Sequence, residues 1–316
     1  MRLPRGLALV FSHLDPMSPP SAPFNSPANS DTILRSCDGI NFHVHSAVLS
    51  LASPFFNTMF TLPVEDHDKG GAAVDKGLPV VEVSESSELL DRFLRVWYPG
   101  AEMLVEFSGF EELQQIIELT LSKYDIQSVA PLLRHGLRHH LQEKSVTAFA
   151  IACKYDWADI ARAAAKETLK HHISFLYLDE RLAKQMQGIS VAQLLALLRY
   201  HAQCSRNASE VSAATLLVTD EAIPSYFCGQ CYTEGRRRHS SCTRAAISRY
   251  LEEVAPILKD SPGIDIRDLI YLSKAHEELA LCDACRRDGL RLLGTFIKDA
   301  YLPAIHQAID KVQLEI

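Results

Sequence analysis

The chain has 316 residues, 47% hydrophobic and 22% charged, with a formal net charge of −7. This is the make-up of a globular protein with room for two or three domains. The negative balance excludes a polyanion binder at the level of the whole chain, so nucleic acid is not an expected partner without a local basic patch. No run approaches the roughly 18 apolar residues of a membrane span, which excludes a membrane partner of that kind.

The opening stretch MRLPRGLALVF sets Arg2 and Arg5 before an apolar run. That run is too short for the core of a secretory signal, usually about 7–15 residues. It leads into SHLDPMSPPSAPFNSPANS, rich in Pro and Ser, so residues 1–29 are expected to be disordered, and Met17 is a second candidate start. The expected location is intracellular, cytoplasmic or nuclear. The eight cysteines are then expected to be thiols or metal ligands rather than disulfides, and the NAS sequon at Asn207 carries no meaning.

From Asp31 the pattern becomes regular. TILRS and INFHVH are strand-like runs separated by CDG, whose Asp38-Gly39 is a hairpin turn signal. Phe42 and Val44 alternate with Asn41, His43 and His45, so the two histidines share a strand face. SAVLSLA reads as helix. Ser53 then offers an N-cap, with Pro54 at the first position of a second helix. Phe55, Phe56, Met59 and Phe60 follow at helical spacing and predict a core element.

PVEDHDKGGAAVDKG is a polar, Gly-rich loop, and LPVVEV is a buried strand. Ser86 or Ser87 caps a helix with Leu89, Leu90, Phe93, Leu94 and Trp97 on one stripe, ended by YPG. A small sheet covered by helices, an α+β unit of about a hundred residues, is expected.

These residues carry a family resemblance. Asp31, Leu34, Asp38, Gly39, Phe42, Val44, His45, Val48, Leu49, Ser53, Phe55, Phe56, Met59 and Phe60, followed by V-x-V and L-x-x-F-L-x-x-W-Y, resemble the BTB/POZ domain over roughly residues 30–142. The pattern looks most like BTB proteins of basidiomycete fungi, with Trp97-Tyr98-Pro99 where others carry Leu-Tyr-Thr. The resemblance implies that His45 is a structural histidine at a strand-to-helix junction and His43 a variable strand residue. A metal pair would need further ligands, and the nearby sequence places none.

Two segments then echo each other. SKYDIQSVAPLLRHGLRHHL begins at Ser122 and CKYDWADIARAAAKETLKHHI at Cys153, each following an apolar helix and ending in a His-His pair, His139-His140 and His171-His172. The unit is helix, tight KYD turn, helix. A helical hairpin cannot bury its apolar face alone, so stacking is expected. Residues 143–210 would then form a helical extension similar in position to the BACK region of BTB proteins. Adjacent histidines on a helix point about 100° apart, a poor bidentate ligand, and they suit a helix C-terminus.

The C-terminal region, 211–316, is expected to be helical and carries two CxxC pairs, Cys228 with Cys231 and Cys282 with Cys285. Residues 243–258 and 265–281 read as two helices joined at Pro262-Gly263. Packed antiparallel, they would bring both pairs to one end of the hairpin, where four thiolates can close a tetrahedral structural zinc site. Unmetallated thiols and a redox CxxC are the alternatives, and no βαβ pattern supports the second. Cys242 and His239 are substitute ligands. Arg236 to Arg238, with Arg286 and Arg287, read either as a phosphate-binding patch or as a solvated loop beside the cysteines, and the net charge favours the loop.

No GxxxxGK[ST], strand-linked GxGxxG, HExxH or GxSxG motif is present, so no enzyme is expected. The resemblance implies a protein-interaction module that self-associates, with protein partners, a homodimer and a cullin-type ubiquitin ligase scaffold among its assemblies. In such adaptors a hydrophobic-x-acidic patch follows the MF helix, and here Val64, Glu65 and Asp66 stand there. The other reading is a BTB transcription regulator, a class that usually adds DNA-binding fingers, which this sequence lacks.

Overall fold

The computed structural model describes residues 20–28, 30–62, 74–75, 77–101, 106–172, 174, 186, 188–216 and 242–316. The chain divides into two compact units, Met1–Leu137 and Arg138–Ile316.

The first unit is built on a four-stranded sheet: β1 (Thr32–Arg35), β2 (Asn41–Val44), β3 (Val74–Asp75) and β4 (Leu78–Glu82), in the order β2-β1-β4-β3. β1 and β2 form the antiparallel hairpin expected from Asp38-Gly39, with Thr32 opposite Val44 and Arg35 opposite Asn41. Gly39 takes φ +84°, the left-handed conformation that this turn requires and that a side chain would resist. β4 runs parallel to β1, Ile33 opposite Val80. The stretch expected as pure loop contains β3, which pairs antiparallel with β4.

Helices α1 (Ser46–Ala52) and α2 (Pro54–Thr61) follow β2. They are separated by Ser53, whose side chain accepts the Phe56 N–H while its hydroxyl donates to the Tyr124 carbonyl. That one residue therefore ends α1, caps α2 and fastens both to the next layer. α3 (Ser87–Trp97) is capped by Ser86 and buries Leu90, Phe93, Leu94 and Val96. α4 (Phe110–Ile117) continues as a π-helical turn through Lys123, and α5 (Ala130–His139) completes the layer. The fold is an α+β domain with a small sheet covered by helices.

Three expectations change here. Residues 20–28 are not disordered: Phe24 is fully buried, because its ring fills a pocket between Phe42 and Tyr98. Residues 1–19 lie outside the described residues. Along α2 only Phe56 is core, while Phe55 is 46% exposed and Met59 and Phe60 are half-buried, because a two-turn helix turns one narrow stripe inward. Trp97 is likewise half-buried, and Val96 and Tyr98 take the buried positions beside it.

The second unit is helical: α6 (Ser145–Lys154), α7 (Ala158–Thr168), α8 (Val191–Leu216), α9 (Cys242–Asp260), α10 (Ser273–Ala280), α11 (Asp283–Phe296) and α12 (Leu302–Asp310). α6 is buried from Ser145 through Cys153, which its small residues permit on all sides. The two KYD turns adopt the same conformation. Asp125 and Asp156 have φ +51° and +56°, and Ile126 and Trp157 each return a backbone N–H to the preceding helix, to Thr120 and Ala152. Aspartate is among the few side-chain residues that tolerate this backbone region.

The C-terminal hairpin forms with a shorter second arm than expected. Asp265 accepts the backbone N–H of Arg267 and pairs with its guanidinium, and Asp268 caps a 3-10 turn at Leu269–Leu272. Local side-chain-to-backbone bonds thus hold residues 265–268 out of the helix. The arms are antiparallel: Arg249 pairs with Glu278, and Lys274 with Glu253.

Candidate interaction surfaces

The two histidines of the strand–helix junction resolve into different roles. β2 ends at Val44, so His43 alone lies on the strand, with Nδ1 3.4 Å from the Ser30 hydroxyl. His45 occupies the N-cap position of α1, where its backbone N–H donates to the Tyr98 oxygen at 2.9 Å and its Nδ1 lies 2.7 Å from the same oxygen. The pair is part of the scaffold, as the sequence indicated. Among the described residues no group of three or more His, Cys, Asp and Glu side chains is placed to hold a metal ion.

Beneath α2 sits an aromatic cluster. Phe56 stacks on Tyr124 at 4.9 Å between centroids, and Phe93 contacts Tyr124 at the same separation. The Tyr124 hydroxyl donates to Glu85 at 2.9 Å, and Lys123 pairs with the other oxygen of that buried carboxylate. Desolvation, then the neighbouring Glu85 charge, drives the Tyr124 phenol far above the usual tyrosine range. This rigid base holds the outer side of α1 and α2 in place.

That outer side exposes three large apolar side chains. Leu51 is 90% exposed, Phe55 46% and Leu62 62%. Large apolar side chains this exposed, at the end of α1, the start of α2 and its C-cap, mark a contact surface more often than an ordinary solvated face. The spacing of α2 alone did not reveal it, because the same Phe-rich pattern reads equally as core. Val64, Glu65 and Asp66, which follow Leu62-Pro63 in the sequence, lie outside the described residues.

In the second unit Cys282 and Cys285 are buried, the first capping α11 and the second within its first turn. Cys242 begins α9 and is also buried. Gly289, one turn beyond Cys285, lies against Thr243; a Cβ there would stand 3.3 Å from the Thr243 hydroxyl. The starts of α9 and α11 therefore share one end of the hairpin. Cys228, Cys231, His239 and Arg236 to Arg238 lie outside the described residues. Arg286 and Arg287 are exposed on α11, Arg286 paired with Asp283.

The second His-His pair engages its own unit. His172 pairs with Asp260 at 3.3 Å, and the His171 carbonyl accepts Nε2–H of the fully buried His201 on α8 at 3.3 Å. His201 had not been singled out in the sequence, where it is one polar residue in a leucine-rich helix. Among the described residues no helix is long and apolar enough to cross a membrane.

A mixed four-stranded sheet, a helical hairpin capped through a serine and a histidine-anchored junction make up the N-terminal domain. The family profile of the BTB/POZ domain matches residues 21–141, and this chain carries that domain, a module through which proteins bind one another and dimerise. The matched stretch begins at Ser21, so it includes the segment of Phe24. No curated protein matches the chain.

Proposed function

We propose that the protein is an adaptor. Its BTB domain self-associates and docks on a cullin-type ubiquitin ligase scaffold, and its helical C-terminal unit holds the protein to be modified. The observation that carries this reading is the exposed apolar set Leu51, Phe55 and Leu62, followed in the sequence, after Pro63, by Val64, Glu65 and Asp66. Exposed large apolar side chains mark a contact surface more often than a solvated face. The scaffold contacts are therefore assigned to Phe55, Leu62, Val64, Glu65 and Asp66.

Co-precipitation of the full chain with a cullin N-terminal domain tests this. Recovery that falls at least tenfold in a Phe55→Ala, Leu62→Ala double variant is expected. No recovery where a known adaptor is recovered would refute the assignment. Sedimentation at tens of micromolar tests self-association.

The transcription-regulator reading rests on Arg236 to Arg238 with Arg286 and Arg287, the last two exposed on α11. Titration against duplex DNA at several salt concentrations separates the two readings, because phosphate contacts give a steep salt dependence.

We also propose one structural zinc ion held by Cys228, Cys231, Cys282 and Cys285. Burial of Cys282 and Cys285 at the open end of an antiparallel hairpin supports it.

A further inference from the structure

β2 is the outer strand of the sheet, yet its outer edge is engaged: His43 N–H donates to the Phe24 carbonyl at 3.0 Å. Around that bond one side chain of the segment is fully buried. Phe24 has no exposed surface, whereas Ser21, Ala22 and residues 25–28 are exposed on either side of it. The Phe24 ring meets Tyr98 edge-on at 5.2 Å and Phe42 at 6.1 Å, with the Arg95 guanidinium 5.6 Å from its centroid. Arg95 also donates to the Ala22 carbonyl at 3.3 Å and to the Ser21 hydroxyl.

The receptor side of this contact is held by other bonds. Tyr98 is fixed by His45, Phe42 by the β1–β2 ladder, and Arg95 by Asp91 at 2.7 Å. A main-chain bond to a sheet edge, one aromatic side chain in a pocket and a guanidinium on the flanking carbonyl are the elements by which domains read short peptides. The flanking Ser, Ala, Pro and Asn residues add little bulk, so the aromatic ring carries the selectivity.

We propose that this pocket is a peptide-binding site, occupied in cis by Phe24, that accepts in trans a partner segment presenting an aromatic side chain between small and proline residues. The tethered segment competes at an effective concentration of roughly millimolar, so a partner must displace it. The site is formed by β2, the end of α3 and Tyr98, and it does not depend on scaffold recruitment by α1 and α2.

The test uses the full chain and a fluorescein-labelled peptide of residues Pro20 to Ala28, followed by fluorescence anisotropy. The peptide should bind a Phe24→Ala chain at least tenfold more tightly than the wild-type chain, and a peptide carrying Phe24→Ala should bind neither. Equal binding to both chains, or none to a folded Phe24→Ala chain, overturns the proposal. Should that variant not fold, a protease site replacing Ser26 to Ala28 can be cut in the otherwise wild-type chain after folding. Release of the N-terminal fragment by excess peptide, with the melting transition retained, supports the site. A fragment that excess peptide cannot displace, or unfolding on its release, overturns it.

Discussion

The phenolic oxygen of Tyr98 lies 2.7 Å from Nδ1 of His45 and 2.9 Å from the backbone nitrogen of the same residue. One hydroxyl thereby satisfies the backbone N–H of the N-cap residue and fixes its ring at the point where the sheet gives way to α1. Tyr98 is buried, and desolvation raises its phenol above the ordinary range, so the group stays neutral. Tyr98→Phe keeps the ring against Phe24 but leaves the His45 N–H without this acceptor. A loss of about 1–3 kcal/mol is expected, read from the urea midpoint with unchanged slope.

Phe55 and Phe56 are neighbours in sequence with opposite fates. Phe56→Ala removes a ring from the Tyr124 cluster and should cost about 3–5 kcal/mol of stability. Phe55→Ala, at a position 46% exposed, should shift the melting temperature far less while weakening partner capture. If the two variants melt alike, the division between core and surface on α2 is misplaced.

His201 makes the second unit acid-sensitive. Burial lowers its pKa from the ordinary 6.5; the His171 carbonyl opposes that shift, His172 adds to it and Asp260 opposes it. Ser205, 3.5 Å from Nδ1, is the other contact. The unfolded chain therefore binds the proton more readily than the folded one. Stability is full above about pH 6.5 and falls as the pH drops through the folded-state value, below which the loss levels off. Denaturant midpoints at pH 7.5 and pH 5 should differ for the wild type, and the difference should shrink in His201→Gln.

Metal content tests the four cysteines. Protein purified without chelator is expected to carry one zinc per chain, and Cys282→Ser to carry less. A structural ion saturated by four thiolates should leave the BTB domain folded when removed. Protein free of zinc would return all four to ordinary thiols.

Much of the first unit follows from the sequence alone. Asp38-Gly39 dictates the β1–β2 hairpin because only a residue without Cβ takes φ +84° at ease. Ser53-Pro54 dictates the start of α2, since a hydroxyl cap and a preset φ act locally. The KYD turns were visible as a repeat, and their shared conformation follows from Asp at one backbone position. In the second unit the antiparallel hairpin followed from two amphipathic runs about a Pro-Gly joint, although Asp265 and Asp268 shortened its second arm through bonds that periodicity does not register.

Tertiary structure decided what no local pattern encodes. Phe24 stands in a Pro/Ser-rich segment that composition alone reads as disordered; it is buried because the Phe42–Tyr98 pocket exists, and that pocket is assembled from residues distant in sequence. Phe55 and Phe56 are alike in hydrophobicity and both rings reach Tyr124, but Phe56 stacks flat on it and is buried, whereas Phe55 meets it edge-on and stays 46% exposed. His201 became a buried titratable group only because the end of α7 supplies its carbonyl. Capping, turns and amphipathic stripes are properties of a few consecutive residues and so are written in them, whereas a pocket or a buried proton site depends on which distant side chains the fold brings together.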